Sequence, residues 1–290
     1  MSEAGQEAHR EGAGKAGPRN DGRETGHRKK TAREGGTVRY RARVEYDGTG
    51  FCGFQVQPGG RTVQGELEAA LSRLSDGRRV RVAAAGRTDT GVHASGQVIS
   101  FTYSGRLSRK ALERALAAIL PVDIGMRGVR RAEPGFHPRY AARYREYRYT
   151  VWNGPRSPLH ERFALGVRAP LDVAAMAKAA SALVGRHDFS AFGAADGQPI
   201  RTLHRVRVRR QGHLVTIDVT GDAFLRQMVR SIVAALLRVG RGEAEAADVA
   251  AALGSGHRAF DGAVAPPHGL CLRRVGYGAP VRTTSMDGET

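Results

Sequence analysis

From Val38 to Tyr46 apolar and charged residues alternate strictly, the period-two pattern of a half-buried strand. Asp47-Gly48 and Gly50 end it. Val63, Leu67, Leu71 and Leu74 then recur at helical spacing and predict a helix over 63–75, stopped by Asp76-Gly77. Strand-like runs follow at 79–85 and 97–103. Ser108 is a good N-cap for a second helix that carries Leu112, Leu116 and Ile119 and ends at Pro121. A strand over 124–131 completes this first set.

The order then repeats. Residues 144–153 read as a strand, and Asp172 caps a helix through Met176, Ala180 and Leu183 that Gly185 stops. Strands over 201–210 and 213–220 meet at Gln211-Gly212, a hairpin-like junction. A helix at 224–239 places Phe224, Met228, Ile232, Ala235 and Val239 on one face. A short helix at 245–253 and a strand at 270–275 finish the pattern. Two successive sets predict an α+β fold of two similar halves, each an antiparallel sheet with helices on one face, forming a central cleft. The expected domains are 37–140 and 141–278. A disordered Gly-rich tail over 1–36 and a frayed end over 279–290 flank them.

Charge adds a partner class. The 290 residues hold 46 Lys and Arg against 28 Asp and Glu, a formal net charge of +18. Residues 1–36 lack Val, Ile, Leu and aromatics and carry eight basic against six acidic side chains. The excess therefore belongs to the part with a core signal. It favours a polyanionic partner, nucleic acid first, with Arg-rich composition as the plainer explanation. No apolar run reaches the ~18 residues of a membrane span, and the N-terminus has no apolar signal core. The expected location is the cytoplasm. Cys52 and Cys271 lie far apart outside any CxxC, so neither a disulfide framework nor a zinc site is expected.

Three near-miss motifs narrow the chemistry. Gly48-Thr49-Gly50-Phe51-Cys52-Gly53 has the letters of a dinucleotide fingerprint. That motif must open directly into a helix whose N-terminus holds pyrophosphate, and Gln57-Pro58-Gly59-Gly60 blocks one, so a tight turn is expected. Gly86 to Gly91 has P-loop glycine spacing without the Lys and Ser/Thr that hold phosphate and magnesium. His160-Glu161 lacks the second histidine of a zincin helix. No metal and no cofactor are expected.

Gly86-Arg87-Thr88-Asp89-Thr90-Gly91-Val92-His93 sets a carboxylate on a glycine-bounded turn between two strands, where backbone approaches a ligand closely. Spacing alone favours a turn capped by Asp89 and neutralised by Arg87 over a catalytic carboxylate. A wider resemblance reverses that order. With Ala94, the stretch resembles the signature of the bacterial tRNA pseudouridine synthase A family. Tyr46 through Gln55 and Arg61 through Glu68 are similar to the family's first motif. Phe136-His137-Pro138-Arg139, Tyr147-Arg148-Tyr149, His187 through Phe192, Phe224 through Arg230 and Gly269 through Leu272 follow in order. The likeness covers about 38–277. Thr90 stands where Ala is frequent and Phe54 where Trp is frequent; neither change removes a catalytic group.

The resemblance implies an isomerase that converts uridine to pseudouridine in the anticodon stem-loop of tRNA, at positions 38, 39 and/or 40. It also implies a homodimer with tRNA bound across both subunits. It makes Asp89 the catalytic aspartate, Arg230 the arginine that pairs with it, and Tyr147 the tyrosine that stacks on the target base. Arg87 is expected to grip the nucleotide's phosphate, with a structural ion pair as its equal alternative. The reaction breaks the bond from C1′ to N1 and rejoins the same base through C5. It changes no oxidation state and loses no atom, so it asks for no nicotinamide, nucleotide or metal. It does ask for an ionised carboxylate, whose charge a neighbouring guanidinium favours. Plainer readings stay open for Tyr147, a core tyrosine facing the same way as Tyr149, and for Arg230, an unpartnered helix residue. Arg201, Arg205, Arg207, Arg209 and Arg210 alternate along one strand and offer a cationic face or edge for phosphates.

Overall fold

The computed structural model describes residues 37–194, 198–255, 257 and 259–278; the tails expected over 1–36 and 279–290 lie outside them. Strand β1 (Val38–Tyr46) lies between β3 (His93–Tyr103) and β4 (Ile124–Arg131), antiparallel to both, and β2 (Val82–Ala84) pairs with β3. The alternation in β1 works as predicted: Tyr40, Ala42, Val44 and Tyr46 are buried, Arg39, Arg43 and Glu45 exposed. A second set comprises β5 (Tyr144–Asn153), β6 (Leu165–Val167), β7 (Gly185–Asp188), β8 (Ile200–Gln211) and β9 (Leu214–Gly221).

These two sets merge. The last strand, β10 (Leu270–Gly276), runs parallel to β3 and antiparallel to β5. All ten strands thus form a single sheet whose main path is β4-β1-β3-β10-β5-β9-β8-β7. The expectation of a separate antiparallel sheet in each half gives way here, because β3 and β5 would otherwise each present a row of unpaired backbone groups at mid-molecule.

Caps start three helices where predicted. Thr62 Oγ1 accepts from Gly65 N–H (3.2 Å) ahead of α1 (Val63–Arg73). Ser108 Oγ accepts from Ala111 N–H (3.4 Å) ahead of α2 (Arg109–Ile119), and Asp172 Oδ1 from Ala175 N–H (2.9 Å) ahead of α3 (Val173–Ser181). Helix α4 (Met228–Gly240) is buried nearly all round and packs against α3 and α5 (Ala246–Ala252).

Helix α4 starts four residues later than its apolar pattern predicts. Gln227 takes a left-handed φ of 64°, and Arg226 exchanges backbone hydrogen bonds with Ala194. Phe224 therefore leaves the helix and faces a cavity. The run at 79–85 narrows to β2. The short strands β6 and β7 carry too few residues to show a period and exist because β5 and β8 pair with them.

Candidate active site

Strand β10 decides where the chemistry-bearing loop lands. Leu272 pairs with Ala94 of β3 on one side and with Tyr147 of β5 on the other. The loop that leads into β3 is thereby set beside the middle of β5. Asp89, Arg230, Tyr147 and Arg87 all line one cavity of about 1290 Å³ at this junction.

A turn holds Asp89. Val92 N–H donates to Asp89 O (3.1 Å), and Gly91 has φ +76° with Pro267 packed so close that a Cβ there would sit 3.0 Å from its Cγ. The glycine string after β1 supports the loop. Phe54 N–H donates to Thr88 O (3.1 Å) and Gly91 N–H to Phe51 O (3.4 Å). Gly53 (φ +82°) passes so near that a Cβ would lie 2.9 Å from Thr88 O. The dinucleotide-like letters are thus the seat of the Asp89 loop, and a 3-10 turn, not a helix, follows β1.

Arg230, in the first turn of α4, donates through NH1 to Asp89 Oδ2 at 3.2 Å and through Nε to Ala265 O at 2.7 Å. Asp89 keeps 36% of its side chain exposed and Arg230 only 13%, so the carboxylate faces the cavity with its counter-ion behind it. Tyr147 is 8% exposed and meets Phe224 edge-on at 5.1 Å. Burial pushes its hydroxyl up to about 12, so it stays protonated at neutral pH. Arg87 is exposed on the cavity wall, and no carboxylate lies within ion-pair distance of it among the described residues.

Family membership rests on two stretches. Residues 42–141 and 179–278 match the model of a family described as tRNA pseudouridine synthase. The tRNA pseudouridine synthase A of Shouchella clausii is 43% identical over 255 residues, spanning 87% of this chain and 98% of its own. That of Pelobacter propionicus is 46% identical over 238 residues, spanning 81% and 97%. The chain belongs to the tRNA pseudouridine synthase family. It is an isomerase of tRNA uridine.

Four features of the synthase escaped the sequence reading. Arg145, only 9% exposed, donates to Ala85 O (2.9 Å), Arg139 O (2.7 Å) and Asp222 O (2.6 Å), tying three walls of the cavity together. Its signal was present: period two puts a charge at 145 on the buried face shared by Tyr147 and Tyr149. Beneath the loop, Tyr46 and Thr88 hydroxyls bond at 2.7 Å, and Gln97 Nε2 donates to Gly86 O at 2.8 Å. His93 accepts from Gly48 N–H at Nδ1 (2.9 Å), and its Nε2–H donates to His268 O (3.1 Å). That leaves Nδ1 without a proton, so its 3.1 Å approach to Asp47 is no ion pair in this state. The fourth is the segment 265–268, which receives Arg230, Tyr149 and His93 on its carbonyls. No local pattern marks such a segment.

Proposed function

We propose that the enzyme isomerises uridine in the anticodon stem-loop, at tRNA positions 38, 39 and/or 40. In this reading Asp89 is the reacting carboxylate, Arg230 its counter-ion, Tyr147 the stacking partner of the extruded base and Arg87 a phosphate ligand. The observation that carries it is the Asp89–Arg230 pair facing a cavity that Tyr147 also lines. The 37–140 and 141–278 halves would flank this cleft, a view supported by the two separate stretches of family match. Two subunits are proposed to share each tRNA.

The chemistry follows from what must move. The C1′–N1 bond breaks, the base turns, C5 bonds to C1′, the C5 proton leaves and N1 ends protonated. Asp89, set beside the Arg230 guanidinium, supplies negative charge at the sugar-base junction while C1′ is electron-poor. A paired uridine must first leave its stem, which costs a few kcal/mol of unstacking; an aromatic face returns about 1–3 kcal/mol. Tyr147 suits that role because its ring is rigid, and its protonated hydroxyl adds no charge to the site.

Asp89→Asn keeps the size and removes the charge. Nucleotide-resolution mapping of pseudouridine in tRNA should show no product with this variant, while tRNA affinity stays within a few-fold of the parent. Continued turnover would falsify the assignment. Release of free uracil by the parent enzyme would convert the reading to an N-glycosylase.

A further inference from the structure

The cavity carries an aromatic surface that neither the carboxylate chemistry nor Tyr147 uses. Tyr140 is 78% exposed, with its ring stacked on His137 at 4.4 Å and 30° between planes. The Arg139 guanidinium lies 6.0 Å from its centroid. All three residues line the same cavity as Asp89.

An exposed tyrosine alone says little, since single surface aromatics are common. This one stands on a braced support. His137 Nδ1 accepts from Arg139 N–H at 3.2 Å, and Ala141 N–H closes the turn onto His137 O at 3.0 Å. Burial, then the charges of Arg39 and Arg139, lower the His137 pKa, so the supporting ring is neutral. Tyr277 donates to Pro138 O (3.1 Å) and packs on Phe136 at 5.2 Å. Arg145 reaches from Arg139 O to Ala85 O beside the Asp89 loop. One side of the Tyr140 ring is covered by imidazole, and the ring as a whole remains largely open.

We infer that the His137–Tyr140 stack is a platform for a nucleobase flanking the target uridine. This rests on the proposed uridine site and extends it. Extruding one base strips its neighbours of a stacking partner, and a fixed ring beside a cation replaces it. The cavity exceeds the roughly 300–1,000 Å³ of a small-molecule pocket, leaving room for more than the target nucleotide.

The test measures affinity of the full chain for tRNA by equilibrium binding, with single-turnover rates at saturating enzyme alongside. Tyr140→Ala should weaken binding by roughly 5- to 150-fold, the worth of one stacked base. Tyr140→Phe and Tyr140→Trp should stay near the parent, and the saturated rate should hold in all three. Placing an abasic residue at each loop and stem nucleotide in turn should reveal one flanking position where Tyr140→Ala no longer costs affinity. Parental affinity in Tyr140→Ala, an unchanged penalty on every abasic RNA, or a fall in the saturated rate alone overturns the platform. Failure of the uridine-site reading shows separately, as turnover by Asp89→Asn, because binding is read without turnover.

Discussion

His93 shows how much a single ring can hold. It stands four residues beyond Asp89, is 5% exposed, and has Phe163 against it at 4.9 Å. Burial is the main reason its pKa is lowered; Asp47 and the His268 carbonyl pull the other way. Below about pH 6.5 the unfolded chain takes up a proton that the folded ring resists. His93 therefore leaves stability intact above that pH and subtracts from it as the pH falls toward the folded value. Denaturant titrations between pH 7.5 and 5 should show declining stability, with a shallower decline in His93→Asn. That variant should also lose about 1 kcal/mol at pH 7.5 through the missing bond to His268 O. Parallel slopes in the two proteins would assign the decline to His137 and His268, whose pKa values are also lowered by burial.

Elements bear on the site unequally, and two small substitutions separate them. Ser108→Ala removes only the cap of α2, far in the chain from any cavity residue. It should cost about 1 kcal/mol in chemical denaturation and leave the saturated rate alone. Gly91→Ala places a methyl where φ is +76° and Pro267 is 3.0 Å away. The strain should cost about 1–2 kcal/mol. It should also displace the 265–268 segment on which Arg230 rests, lowering the saturated rate by roughly tenfold or more. An active Gly91→Ala enzyme with normal stability would show that the loop and this segment move independently.

Across the molecule the arginines fall into two groups. Arg148 and Arg209 both bind Asp218, at 2.7 and 2.9 Å, and that carboxylate is 1% exposed. Arg210 donates to Asn153 Oδ1 and Leu171 O. Two arginines of the strand expected to track phosphates, Arg209 and Arg210, thus stay exposed but spend hydrogen bonds on groups of the fold. Arg87, Arg139 and Arg226 line the cavity instead, with no carboxylate at ion-pair distance among the described residues. A protein touching six to ten phosphates loses roughly 10³–10⁵ in affinity between 50 and 200 mM salt. Binding to tRNA should therefore fall steeply with salt. Arg226→Ala should reduce the log–log slope by about one, whereas Arg209→Ala should leave the slope unchanged and lower stability. A flat salt response would remove the phosphate-tracking surface altogether.

What was legible in the chain is what depends on neighbours in sequence. The alternation of β1, the caps at Ser108 and Asp172, and the glycine-bounded Asp89 loop are local. Each needs only the next few residues to state its preference, and the motif order of the family survives in one dimension. The start of α4 was misread because apolar spacing cannot register that the Arg226 backbone pairs with Ala194. The merging of two strand sets through β10 was hidden for the same reason, since pairing partners some 120 and 180 residues away leave no periodic mark. Only the folded chain brings Arg230 to 3.2 Å from Asp89, 141 residues apart. Composition and periodicity set which faces are buried; long-range backbone pairing decides which buried faces meet.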